Sequence, residues 1–291
     1  MPTPPVMPPG FSYRPATTAD AEPIAEMTGI AVDEVEASLE RPGLDASVDS
    51  LVVLEAAGSV AAWAWVRGRR SQVDVGVKYR GLGLGSGLLG WVERRAVEAG
   101  GDRVSQTVDD EDRAGTALLR ARGYEVIATN WQLSLRASQE PVVPDLPAGI
   151  AIRPYAGEDA QTAYVVIQDA FDEWQPRRWG YAEWARMTVE RTTFAPGLSP
   201  VAFAGDELVG VAICLALPGS ESGYVEQIAV RRDQRGKGIA RALLAHASLG
   251  FYHQDRPDLV LWTHSGTGAL AMYERLGMTV QRSTTVFSRK L

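Results

Sequence analysis

Apolar and polar positions follow one another along this chain in an order that occurs twice. From residue 150 onward the pattern predicts a strand at 150–154, helices at 159–171 and 181–192, and a strand at 200–204. A turn at Gly205 and Asp206 then leads to strands at 208–217 and 223–230, a helix at 238–250 and a strand at 259–264. A helix at 267–276 and a last strand at 279–289 complete the half. Strands joined by tight turns are antiparallel, whereas the strand-helix-strand passage from Tyr224 to His264 must be a right-handed parallel crossover. The sheet is therefore mixed. The first half repeats the order with a shorter helical region and a compressed hairpin over 51–77.

The repetition extends to individual residues. Val75 precedes Arg80-Gly-Leu-Gly-Leu-Gly85 and an apolar helix; Val230 precedes Arg235-Gly-Lys-Gly-Ile-Ala240 and another, an offset of 235 − 80 = 155. Leu119, Gly123 and Tyr124 match Tyr273, Gly277 and Met278 at 273 − 119 = 154, and each half opens with an Arg-Pro pair, at Pro15 and Pro154. Two tandem domains follow, at 11–137 and 150–291. Residues 138–149, with Pro141, Pro144 and Pro147, read as an extended linker, and residues 1–10, rich in proline, as a disordered tail.

Composition narrows the classes. The 291 residues are 45% hydrophobic and 22% charged, as in folded soluble proteins, and 29 basic against 36 acidic side chains give a net charge of −7, which speaks against nucleic acid as a partner. No run approaches the roughly 20 apolar residues that span a bilayer, and the N-terminus has no signal-peptide pattern. The one cysteine, Cys214, forms no intrachain disulfide and no Cys-based zinc site, so a reducing cytoplasm is the expected compartment and no metal is expected. His246 and His253 read as structural.

The chemistry resides in the duplicated loop. A β-branched strand running into a glycine-rich turn that opens a helix presents free N–H groups and a positive dipole end to an anion. The G-x-G-x-x-G match of the first copy, Gly85 to Gly90, falls inside the apolar helix rather than on the turn that opens it, the second copy has none, and no G-x-x-x-x-G-K-[ST] is present. The segments Arg235-Gly-Lys-Gly238-Ile-Ala240 and Arg80-Gly-Leu-Gly83-Leu-Gly85, with Ala269-x-x-x-Tyr273-Glu-Arg-Leu-Gly277-Met278 downstream, resemble the signatures of the Gcn5-related N-acetyltransferase (GNAT) family.

The resemblance implies an α/β (α+β) fold of two tandem GNAT domains. Each would have a mixed, mostly antiparallel sheet, helices on both faces and a splayed parallel pair at the acyl-CoA site. It implies that the pyrophosphate of acetyl-CoA, or another acyl-CoA, sits on Arg235, Gly236, Lys237, Gly238, Ile239, Ala240 and Arg241. Pantetheine would run along Ile228, Ala229 and Val230, near Ser265. In the first half, Arg80, Gly81, Gly83 and Gly85 would correspond.

The halves differ in proton-handling groups. In the second, the resemblance makes Glu226, four residues before Val230 on a strand, the candidate base, and Tyr273, at the position where the family commonly has a tyrosine, the candidate donor to the leaving thiolate. The equivalent first-half positions are Ser71 and Leu119, so that half is expected to be catalytically degenerate; whether it still holds CoA stays open. His264 is an alternative base, and His264-Ser-Gly-Thr-Gly268 departs from the asparagine common in the family. Asp172 and Glu173 beside Trp174 would suit a cationic acceptor.

The expectation is thus a cytoplasmic N-acetyltransferase, monomer or homodimer. Its C-terminal domain acetylates a primary amine of a small molecule or peptide by direct attack in a ternary complex. The family also includes two-domain mycothiol synthases with one degenerate half, which makes acetylation of a cysteinyl amine an alternative. A non-catalytic acyl-CoA sensor is the alternative from another class.

Overall fold

The computed structural model describes residues 3–41, 43–175 and 177–291. It forms two compact units, one running to Thr129 and resuming over Thr284–Leu291, the other spanning Asn130–Ser283. The first carries β1 (Phe11–Arg14), α1 (Ala21–Thr28), α2 (Val32–Leu39), α3 (Ala46–Asp49), β2 (Ser50–Glu55), β3 (Val60–Arg67) and β4 (Arg70–Val75). After these come α4 (Leu84–Glu98), β5 (Arg103–Asp109), α5 (Arg113–Ala121) and the start of β6 (Glu125–Arg136). The second carries the rest of β6, then β7 (Ile150–Pro154), α6 (Ala160–Phe171), α7 (Tyr181–Met187), β8 (Pro200–Ala204) and β9 (Glu207–Leu215). It continues with β10 (Ser222–Val230), α8 (Ile239–Tyr252), β11 (Asp258–His264), α9 (Leu270–Arg275) and the first residues of β12 (Thr279–Lys290).

The expected mixed sheet is present in both units. Within the first, β1 to β5 lie in sequence order; within the second the order is β11, β10, β9, β8, β7. Only β4 with β5 and β10 with β11 pair in parallel among these neighbours.

One feature differs from the reading of two contiguous halves. The strand after β5 in the first sheet is Thr284–Lys290, paired antiparallel from Thr284↔Asp109 to Lys290↔Arg103. The strand beyond β11 in the second is residues 130–136, paired from Asp258↔Arg136 to His264↔Asn130. Each half of the sequence therefore gives its last strand to the other unit's sheet. A strand pattern states which residues face a core but not which core, because the alternation is the same on either sheet.

Helices cover both faces. In the second unit, Ile239, Leu243, Ala247 and Phe251 of α8 pack on Ala212, Cys214 and Val225, while Ala163, Val166 and Ile167 of α6 pack on Val211, Ile213 and Ala229. The strand β9, covered on both sides, is buried from Leu208 to Leu215 and reads as a continuous apolar run for that reason. The lone thiol, Cys214, lies inside this layer, where burial pushes it up to about 12. The helix α7 stops at Met187 rather than running to 192. The Thr188 hydroxyl donates to the Trp184 carbonyl at 2.6 Å while its backbone leaves the helical region, a local bond that competes with the helix.

The opening segment, expected to be disordered, lies along α4. The N–H and hydroxyl of Thr3 donate to Glu98, Arg94 donates to the Pro4 carbonyl at 3.2 Å, and Pro5 is buried. Met1 and Pro2 lie outside the described residues.

The duplicated Arg-Pro openings have a physical reason. Arg14 grips Asp20, and Arg153 grips Asp159, through two bonds of 2.6–2.7 Å each. Both aspartates are buried and also accept backbone N–H groups, from Thr17 and Ala156. Burial opposes the charge on Asp159, but its bonds to Arg153 and Ala156 outweigh it and hold the carboxyl below its ordinary value. The pair joins the end of β7 to the start of α6. Asp159→Asn should cost about 2 kcal/mol, less than for a fully buried pair because Arg153 is half-exposed. Urea unfolding checks this. Since the folded-state value is depressed, the wild-type contribution should be intact near neutrality and lost as pH falls through that value.

Candidate active site

The strand β10 is paired on one side with β9 and on the other with β11, and both ladders fail at the same place. Against β9 the register shifts between Val225 (opposite Cys214) and Gln227 (opposite Ile213), leaving Glu226 as an extra, unpaired residue. Against β11, parallel pairing runs from Ser222↔Asp258 to Val225↔Leu261 and ends there. From Glu226 to Val230 one edge of β10 has no β11 partner. A cavity of about 680 Å³ opens in the gap, lined by Glu226 to Val230, the end of β11, one face of α9 and the turn before α8.

At its wide end lies the glycine-rich turn. Gly236 and Gly238 have φ of +77° and +84°, left-handed values that a side chain disfavours, and a Cβ on either would point into open space. Gly238 caps α8, a 14-residue helix whose first N–H groups face the turn. Arg235 and Arg241 add positive charge at the cavity wall. A narrow, mainly apolar gap ending at a cationic helix start fits an acyl-CoA, with its apolar arm and charged pyrophosphate.

Of the expected cofactor residues, Ile228, Ala229, Val230, Arg235, Gly236, Gly238, Ile239, Ala240 and Arg241 line this cavity. Lys237 and Ser265 are not among its lining; the Lys237 ammonium donates to Gln234 at 2.7 Å. Glu226 and Tyr273 are brought to the one cavity. Burial raises the Glu226 carboxyl above its ordinary value, and Arg191, 4.0 Å away, partly offsets this. Burial pushes Tyr273 up to about 12, so its hydroxyl keeps its proton at neutral pH.

The expected acceptor residues are placed differently from one another. Asp172 does not line the cavity and pairs with Arg178 at 2.7 Å. Glu173 and Trp174 line it, but Glu173 pairs with Arg235 of the glycine-rich turn at 2.9 Å. Both carboxylates are thus engaged by arginines.

Two residues carried no sequence signal. Arg191 stands in the irregular turn after α7, where no motif marks it. Trp184, fully buried in α7, donates its indole N–H to Gln227 Oε1 at 2.9 Å. Because the indole only donates, this fixes the amide orientation and anchors the strand just past the bulge. Only its aromaticity was visible beforehand.

The first unit has the same loop in a different setting. Gly81 and Gly83 have φ of +77° and +90°, and Arg80 reaches Asp112 of the following helix start at 3.4 Å. Pairing of β3 with β4 runs from Ala62↔Val75 to Arg67↔Arg70 with no register shift. Ser71, in place of a base, donates to the Ser105 carbonyl at 2.9 Å and accepts from Gln106 at 2.7 Å, stitching β4 to β5. A Cβ on Gly85 would meet Leu118 of α5 at 3.1 Å and Val75 at 3.7 Å, so side chains occupy the space beside this loop. Leu119, in place of the tyrosine, is buried.

Comparisons agree with this geometry. The acetyltransferase (GNAT) family model matches residues 161–278. A mycothiol acetyltransferase of Cellulomonas flavigena is 27% identical over 303 aligned residues, covering 90% of this chain and 83% of the relative. A mycothiol acetyltransferase of Segniliparus rotundus is 25% identical, covering 86% and 98%. Among solved structures, a GCN5-related N-acetyltransferase from Sphaerobacter thermophilus superimposes with a TM-score of 0.81 at 25% identity, covering 98% of this chain and 97% of that one. A tandem GNAT protein from the clavulanic acid biosynthesis pathway gives 0.70 at 18% identity, covering 96% and 98%, and shares the fold. With the matched model in its second half, the loop duplicated in its first and relatives aligned along most of its length, the chain is similar to tandem N-acetyltransferases of the GNAT family.

Proposed function

We propose that the second unit transfers an acetyl group from acetyl-CoA to a primary amine by direct attack in a ternary complex. The observation that carries this reading is the convergence of Glu226 and Tyr273 on the one cavity that ends at the glycine-rich turn. An amine reaches the site largely as an ammonium and must lose a proton before it attacks. Glu226, ionised yet in a partly dry setting, takes that proton. The nitrogen then adds to the thioester carbonyl, and backbone groups along the unpaired edge of β10 are disposed to bond the thioester arm. As the C–S bond breaks, the departing thiolate takes the proton held by Tyr273, the second nitrogen proton restores the phenol by way of solvent, Glu226 releases its proton to water, and the amide product leaves with CoA.

The relatives named mycothiol acetyltransferase support a second, narrower reading of the acceptor, a cysteinyl amine on a sugar-containing thiol. The first unit serves as scaffold in either case, since Ser71 and Leu119 carry out neither proton step.

The direct test is thiol release from acetyl-CoA across a panel of primary amines that includes cysteinyl amides. Glu226→Gln should lower kcat by about 10²-fold or more, and Tyr273→Phe by about tenfold, with acetyl-CoA affinity retained. Unchanged turnover in Glu226→Gln would assign the base elsewhere.

Calorimetry should give one acetyl-CoA per chain, because a side chain of the following helix already stands beside the first glycine-rich loop, at Leu118. Gly238→Glu should abolish that binding. A second equivalent would show the first cleft to be open.

The pH profile supplies a further check. Activity should fall as acidification protonates Glu226, at a pH above the ordinary carboxylate value. Arg191→Gln removes the charge that favours ionisation and should move the acid limb of kcat/KM upward by about half a unit, with Arg191→Lys restoring it. An unmoved limb would detach Arg191 from the base.

A further inference from the structure

The gap between β10 and β11 has two open faces. On one stands α9, with Ala269, Met272 and Tyr273 against the cavity. The other is crossed by a pair of rings. The indole of Trp174, in the turn that ends α6, stacks on the imidazole of His264, the last residue of β11, with centroids 5.4 Å apart and planes 22° from parallel. Phe171 backs the indole at 5.1 Å. Since α6 packs on β9 and β10 while His264 ends the strand beyond them, this stack passes over the end of β10 and spans the gap. It does so three residues past Leu261, where pairing with β10 ceases.

Both rings are pinned from their own backbones. Trp174 and Gln175 donate their N–H groups to the Phe171 carbonyl at 3.0 and 2.8 Å. The Nδ1 of His264 accepts the Gly266 N–H at 2.9 Å, and the Thr267 hydroxyl donates to the His264 carbonyl at 2.8 Å. A Cβ at Gly266 would lie 2.9 Å from that Nδ1 and 3.4 Å from the Trp174 Cβ, so the arrangement needs glycine there. The same turn of α6 holds the cofactor loop through Glu173 and Arg235. With that carboxylate engaged, the segment offers no free charge to draw in a cationic amine.

We infer that Trp174 and His264 are positioning residues for the pantetheine arm of acyl-CoA, their stacked rings closing the α6 side of the gap so that the arm is held between them and α9. This rests on the assignment of the cavity to acyl-CoA. A long, flexible, weakly polar arm loses much rotational freedom on binding, and rigid aromatic walls supply contact area at little entropic cost of their own. Neither residue exchanges a proton in this role.

The test separates the arm from the nucleotide. Acetyl-CoA and 3′-phospho-ADP, which lacks pantetheine, are titrated calorimetrically into the full chain and its variants. Trp174→Ala and His264→Ala should each weaken acetyl-CoA about tenfold and leave 3′-phospho-ADP unchanged, which also shows that the variants are folded. His264→Phe, which keeps a ring, should retain most of the affinity, while Gly266→Ala should lower it with both rings present. Wild-type affinity for acetyl-CoA in Trp174→Ala and His264→Ala overturns the inference, as does equal weakening of the two ligands. Failure of the wild type to bind acetyl-CoA would instead overturn the cavity assignment beneath it.

Discussion

The site depends on one interrupted ladder. A β-strand in mid-sheet normally bonds on both edges, and leaving those groups unpaired in a dry interior is costly. In β10 the interruption at Glu226 releases one edge over five residues, and the surrounding elements keep that edge usable. The helix α9, the stacked Trp174 and His264, and the start of α8 line the gap and leave room for a ligand between them. The anchor from Trp184 to Gln227 lies just beyond the bulge, where slippage of the strand would restore regular pairing and erase the cavity.

The electrostatics follow from that geometry. An unpaired carboxylate at a strand bulge is partly removed from water, which makes it a better base than one at the surface and harder to ionise. A guanidinium at 4.0 Å is far enough to avoid a bidentate pair that would hold the proton off permanently, yet close enough to favour the charged form. Tyr224, on the same strand, is itself pushed up to about 12 by burial, with Glu226 adding to the effect, so it contributes no competing charge near neutrality. The cavity thus contains a carboxyl whose burial favours the protonated form and, in Tyr273, a phenol that keeps its proton, the pair of groups that the proposed acylation uses.

Much of this was legible in the chain. The glycine-rich turn could be read because it is local and occurs twice, and Glu226 and Tyr273, singled out by the resemblance to the family, do line the cavity that ends at that turn. The exchange of last strands between the sheets was not, since residues 130–136 and 284–290 alternate in the same way whichever sheet accepts them. The bulge left no mark either; it replaces no residue and only changes which neighbour faces which. Arg191 and Trp184 act across sequence distances of 35 and 43 residues, fixed by how α7 and its turn lie on the sheet. The opening residues read as solvated because they are rich in proline, yet proline carbonyls remain good acceptors, and α4 supplies Arg94 to one of them.

Comparison of the two units separates what the architecture requires from what the chemistry requires. Both retain the buried aspartate gripped by arginine at the entry to the first helix, and both retain left-handed glycines before the long helix. These features orient elements, and either copy would destabilise its unit if lost. What differs is confined to the parallel strand pair. Where the second unit has Glu226 without a strand partner, the first has Ser71 bonded across to β5; where the second has a phenol, the first has Leu119 in the core. In both units the parallel pairing stops short of the strand's end, after Ser71↔Gln106 in the first and after Val225↔Leu261 in the second, so the splay belongs to the architecture and the side chains beside it differ. The frame that orients the elements is thus kept in both units, while the residues at the positions of Glu226 and Tyr273 are free to differ, because neither Ser71 nor Leu119 changes how the strands and helices are arranged.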